Sequence, residues 1–130
     1  MIYLDTSVAL AHLLAEDRRP PADLWASELV SSRLLEHELR VRLNDRGLER
    51  SHGDAARLML SRVALVEFDR SVLARALDPF PVPVRTLDAL HLASAGFLRE
   101  QGVDVQFAAY DDRMRRGAEA LGFPLTPLPG

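Results

Sequence analysis

Two aspartates close short apolar runs. Asp5 ends Met1–Leu4 and is followed by Thr6-Ser7, and Asp111 ends Val105–Tyr110. Each reads as a strand running directly into a helix start. In an open α/β sheet such positions lie at the carboxyl ends of the strands, where active sites gather. Taken singly, either aspartate is also accounted for as a helix N-cap, a role that suits an acid at the positive end of the helix dipole.

Two further carboxylates fall on faces that should be buried. Glu38 lies four after Leu34, three after Leu35 and three before Val41, which puts it on the inward stripe of a predicted helix. A carboxylate there is costly unless it is paired, protonated or bound to metal; a buried ion pair with an arginine is the competing account. Glu36 and Arg40 fall on other faces, where solvation suffices. Asp88 opens Leu87–Leu98, a segment apolar on nearly every side, with His91 and Ser94 following one and two turns on. Thr86 is the expected N-cap, so Asp88 sits in the first turn, where the dipole explains its sign but not its burial. His91 reads as a satisfied core histidine rather than a ligand.

Four carboxylates that share a pocket must raise their pKa values or bind a cation. The chain has no cysteine, and hard oxygen donors point to magnesium or manganese. Such a site suits phosphodiester hydrolysis, in which metal ions polarise the phosphate, activate water and stabilise the leaving oxygen.

The elements that must position these groups follow from periodicity and punctuation. After the first strand a helix is predicted from Val8 to about Ala15, then a polar loop over Asp17–Pro21 and a short helix over Ala22–Leu29. A brief strand, Leu29–Ser32, leads into a helix capped by Ser32, running to about Asp45 and stopped by Arg46-Gly47. A helix over Ser51–Arg62, a strand over Ala64–Phe68 and a helix over Arg70–Leu77 follow. Three prolines make Asp78–Val84 an extended loop. Thr86–Glu100 is a long helix closed by Gly102, Val105–Tyr110 a strand, Asp111–Leu121 a helix ended by Gly122, and Phe123–Leu125 a last strand. The proline-rich end, Pro124–Gly130, is expected to fray. Alternating strands and helices predict one α/β domain over residues 1–130, with a central, mainly parallel sheet flanked by helices.

A chain of 130 residues has room for one ordinary domain, and 48% hydrophobic with 27% charged residues fits a soluble core-bearing protein. Asp5 interrupts the first apolar stretch and no basic segment precedes it, which argues against a signal peptide. No stretch approaches the roughly 20 apolar residues of a membrane span, and a cytoplasmic location is expected. The formal net charge is −3, and all 16 basic residues are arginines. Neutralising four carboxylates would move that charge to +1, so the acidic total need not repel RNA.

The opening I-Y-L-D-T-S, the segment S-S-R-L-L-E-H-E-L-R, the stretch R-T-L-D-A-L-H-L-A-S-A and the late A-Y-D-D-R-M resemble, in order, the four blocks of PIN domains. They look most like the VapC toxins of VapBC toxin–antitoxin pairs, and the resemblance runs the length of the chain. It implies a PIN-like three-layer fold and a magnesium- or manganese-dependent endoribonuclease that forms a homodimer and is inhibited by a VapB-like antitoxin. By the same resemblance, Asp5, Glu38, Asp88 and Asp111 take the places of acidic metal-binding residues, and Ser7 that of a hydroxyl hydrogen-bonded within the site. Ala109 stands where many members carry Thr or Ser, which removes one polar support for Asp111. Arg113, Arg115 and Arg116 are candidate phosphate contacts, with a solvated helix face as the plainer account.

Other classes fit less well. A housekeeping PIN nuclease without an antitoxin shares every feature above, and a catalytically dead RNA-binding module would be expected to have lost a carboxylate. A receiver-type phosphoacceptor needs a lysine, and the chain has none. No phosphate-cradling glycine cluster or G-x-S-x-G elbow is present.

Overall fold

The computed structural model describes residues 1–129. Four strands, β1 (Ile2–Leu4), β2 (Leu29–Ser32), β3 (Val63–Val66) and β4 (Gln106–Ala108), form one parallel sheet in the order β3-β2-β1-β4. Six helices connect them: α1 (Thr6–Leu13), α2 (Arg33–Asp45), α3 (Glu49–Leu60), α4 (Arg70–Ala76), α5 (Thr86–Glu100) and α6 (Asp112–Ala120). The chain winds outward from β1 through β2 to β3, then returns to place β4 on the other side of β1. That reversal makes the carboxyl ends of β1 and β4 the switch point, where a crevice opens in such sheets.

Side chains alternate across each strand, and two cores result. Leu4, Leu29, Val63 and Ala108 pack with Val8, Leu35, Leu39 and Met59 from α1, α2 and α3. Tyr3, Val30 and Phe107 face the other way, against Leu92, Ala95, Met114 and Ala118 from α5 and α6. The sheet is thus the middle of three layers. α6 lies close against α5, because a Cβ at Gly117 would come within 2.8 Å of Leu92 Cδ1. Gly47, Gly102 and Gly122 follow their helices at positive φ, as helix stops require.

Several expectations are corrected. Ala22–Leu29 is not an α-helix: Ala22–Ala26 forms a 3-10 turn with no side-chain cap, Ser27 is extended, and Leu29 belongs to β2. The last strand reduces to a single bridge, Phe107 to Leu125, since Pro124 has no N–H for a ladder. The tail does not fray there: Thr126 N donates to Phe107 O at 2.9 Å and Thr126 is buried; Gly130 lies outside the described residues. The strand predicted over Val105–Tyr110 keeps only Gln106–Ala108. On α2 the buried row is Leu35, Leu39 and Leu43, and Val41, two residues from the latter pair, is 58% exposed rather than inward. α5 is capped by Arg85, not Thr86.

Candidate functional site

Asp5, Glu38, Asp88 and Asp111 line one cavity of about 470 Å³ at the carboxyl end of the sheet. Each is delivered by a different element. Asp5 is the N-cap of α1 and accepts from Ser7 N at 3.3 Å and Ser7 Oγ at 2.5 Å. Glu38 projects from the second turn of α2, whose N-cap is Ser32. Asp88, in the first turn of α5, accepts from Arg85 N at 3.1 Å. Asp111, rather than Asp112, lines the cavity; it caps α6 by accepting from Met114 N at 3.1 Å. Capping and cavity lining therefore coexist in three of the four.

Ser7 ties the carboxyl ends of β1 and β4 together. Its hydroxyl donates to Asp5 and accepts the Tyr110 N–H at 3.0 Å, a link from β1 to the segment that carries Asp111. Ala109 is buried and contributes no polar group. Glu38 has a different support. Its Oε1 accepts from Thr6 Oγ1 at 2.6 Å and lies 2.8 Å from His91 Nε2. His91 Nδ1 lies 2.8 Å from the Tyr3 hydroxyl. Placing the imidazole proton on Nε2 satisfies every partner: the ring donates to Glu38 and accepts the phenol. Burial holds the Tyr3 phenol above its ordinary range, so it keeps the proton it donates. His91 is a satisfied core histidine as expected, fully enclosed, yet it also borders the cavity and orients a carboxylate.

The electrostatics differ between the two innermost acids. Burial pushes the Asp5 carboxyl above its ordinary range, and the nearby Glu38 charge adds to this, against the two hydrogen bonds from Ser7. Burial acts on Glu38 in the same sense, but the hydrogen bonds from His91 and Thr6, with the nearby Arg42 charge, outweigh it and hold the carboxyl low.

In each of the four carboxylates the bonded oxygen leaves a second one that accepts no hydrogen bond among the described residues. Those free oxygens are hard donors of the kind magnesium and manganese take. Among the described residues no three His, Cys, Asp or Glu side chains stand close enough to hold an ion, so binding one would draw the carboxylates together. The donor set fits the cation in its chemistry.

Arg113 lies 3.8 Å from Asp88, Arg115 donates to Ala109 O at 3.4 Å, and none of Arg113, Arg115 and Arg116 lines the cavity. Arg18, Arg42 and Arg46 do.

The amino-acid sequence matches the PIN domain family over residues 2–120. This chain belongs to the PIN-domain family. Among curated relatives it is 40% identical to Ribonuclease VapC46 of Mycobacterium tuberculosis, over 93% of this chain and 92% of that protein. It is 28% identical to Ribonuclease VapC47 of the same species, over 100% of this chain and 98% of the relative, and 28% identical to Ribonuclease VapC35 over 97% and 96%. No solved structure matches. Within the PIN fold, Thr6 and Tyr3 are the supporting residues that sequence reasoning passed over, and His91, read there as core, is the one that also orients Glu38. Thr6 was legible as the middle residue of D-T-S, and His91 as a neighbour of Asp88 one turn on.

Proposed function

We propose that this single PIN domain is a magnesium- or manganese-dependent endoribonuclease that hydrolyses RNA phosphodiester bonds, and that it is the toxic component of a type II toxin–antitoxin pair. The observation that carries the reading is the convergence of Asp5, Glu38, Asp88 and Asp111 on one cavity at the sheet's switch point, in a chain whose relatives are named VapC ribonucleases. These four residues would hold the metal, each keeping one carboxylate oxygen free of hydrogen bonds among the described residues. A bound divalent ion supplies polarisation of the phosphate and charge stabilisation at the leaving oxygen. Ser7 supports the Asp5 carboxylate, and Thr6 and His91 support that of Glu38, as hydrogen-bonding partners behind metal-binding carboxylates do. Water is the nucleophile: its oxygen bonds to phosphorus, the bond to the departing ribose oxygen breaks, and a proton passes to that oxygen.

The partner of such a toxin is a VapB-like antitoxin. An acidic cavity attracts an arginine from that partner by charge-assisted hydrogen bonding. On this reading the protein is a homodimer that works in the cytoplasm. No described helix is long and apolar enough to cross a membrane.

The test is RNA cleavage by purified protein with manganese or magnesium, comparing wild type with Asp5→Ala and Asp88→Ala. Cutting by wild type that EDTA suppresses and both variants lose is the expected result. Equal cutting by all three preparations would refute the site, since the activity would then belong to a contaminant.

A further inference from the structure

We propose that Arg42 and Arg46 form a track for successive phosphates of an extended single-stranded RNA segment leading away from the acidic centre. The proposal rests on the ribonuclease reading and names how that site takes its substrate.

The residues lie on one helix at a fixed interval. Glu38, Arg42 and Arg46 are spaced four apart along α2 and its C-terminal cap, so they make a row on one face. All three line the cavity. The row runs directly beside the buried row Leu35, Leu39 and Leu43, which anchors α2 to the sheet and keeps the arginines at the cavity edge. Four residues advance a helix by about 6 Å, a step on the scale of one nucleotide of extended backbone. Arg42 is therefore one step and Arg46 two steps from Glu38.

Neither arginine is ion-paired among the described residues, although the nearby charge of Arg42 helps to hold the Glu38 carboxyl low. The other arginines of α2 are spent internally: Arg33 pairs with Glu36 and Glu67, and Arg40 with Glu49. Among the described residues neither Arg42 nor Arg46 has a carboxylate within ion-pair distance, and both are exposed. Basic residues suit a helix C-terminus, but the dipole does not require that they face an acidic cavity. Across the mouth, Arg18 lies over the Tyr110 ring, 5.0 Å from its centroid. The cavity thus holds the buried Asp5 beside the half-buried Glu38 and Asp88, with the exposed Arg18, Arg42 and Arg46 set among the exposed carboxylates Glu16, Asp17 and Asp111. A metal-loaded centre flanked by planar phosphate-binding forks fits a polyphosphate backbone better than it fits a small neutral ligand.

The track is tested by the salt dependence of binding. A short fluorescent single-stranded RNA of mixed sequence is titrated with protein in EDTA at several salt concentrations, with manganese-dependent cleavage measured in parallel. Arg42→Gln and Arg46→Gln should each take about 0.7 from the magnitude of the log–log salt slope, and the double variant about 1.4. Arg42→Lys should keep the wild-type slope, and Arg116→Gln, outside the cavity, should leave it unchanged. Thermal melts separate these effects from loss of a helix-end charge, which would lower the midpoint without altering the slope. Wild-type slopes in both glutamine variants, with cleavage intact, would overturn the track and leave the nuclease standing. A wild type that neither binds nor cuts RNA would remove the proposed function and the track together.

Discussion

Replacing His91 by leucine should expose how much of the site's rigidity comes from one buried imidazole. The ring is enclosed and lies 2.8 Å from both the Tyr3 hydroxyl and Glu38 Oε1, with Thr6 Oγ1 at 3.2 Å. Leucine fills much of the same volume, so cavity formation is a small part of the cost. The larger part is polar. Losing a hydrogen bond to the ionised Glu38 costs about 1.5–3 kcal/mol, and leaving a buried phenol unpartnered costs about 1–3 kcal/mol. Glu38 is 24% exposed at its side chain and keeps Thr6, so water offsets some of its loss. A net destabilisation of about 3 kcal/mol is expected, a fall of roughly 10 °C in Tm for a domain of this size. Tyr3→Phe alone should cost about 1 kcal/mol, because Ser32 Oγ, 3.4 Å from His91 Nδ1, can move in as donor. The double variant no longer buries an orphaned hydroxyl, so it should cost about 3 kcal/mol rather than the additive 4, a coupling of about 1 kcal/mol. Urea denaturation of the four proteins measures this. Additivity within about 0.3 kcal/mol, or a neutral His91→Leu, would refute the assignment of His91 as the shared partner of Tyr3 and Glu38.

Two further substitutions separate stability from function. Ser7→Ala removes the donor to Asp5 and the acceptor for Tyr110 N–H; about 2 kcal/mol of stability should be lost, with a tenfold to hundredfold drop in metal affinity or cleavage, read by denaturation and by manganese titration. Asp5→Asn should act in the opposite direction on stability. Burial raises the folded-state pKa of Asp5, so the folded state favours the neutral acid; that contribution is present at low pH and lost as pH rises through the folded pKa. Asparagine is an equally good N-cap, hence the variant should be more stable than wild type by about 1 kcal/mol at pH 8 in EDTA, with the gap closing toward acid pH and no cleavage at any pH. A variant less stable than wild type at pH 8 would contradict the electrostatic account.

What the sequence discloses about this fold is what local chemistry controls. The Ser32 cap, the helix stops at Gly47, Gly102 and Gly122, and the strand ends at Asp5 and Asp111 depend on residues a few positions apart, and they are legible for that reason. Glu38 was reachable by counting along one helix, although Val41, used in that count, faces solvent. The true register is set by the buried Leu35, Leu39 and Leu43, the first two of which pack in the core on the sheet; hydrophobicity alone does not distinguish a residue that turns inward from a valine that does not.

Contacts that join distant segments are not written in any local pattern. Tyr3 and His91 are 88 positions apart, Ser7 and Tyr110 103, and only the β3-β2-β1-β4 order brings them together. The arginines show the same division from the other side. Arg113, Arg115 and Arg116 were chosen because they follow Asp111 along the chain; none of them lines the cavity, although Arg113 stands 3.8 Å from Asp88. Arg42 and Arg46 are remote from Asp111 in sequence and stand on its cavity, because a four-residue interval from Glu38 repeats the direction of that carboxylate turn after turn. Nearness along a helix face, counted from one residue whose inward placement is secure, is the better guide to a site than nearness along the chain.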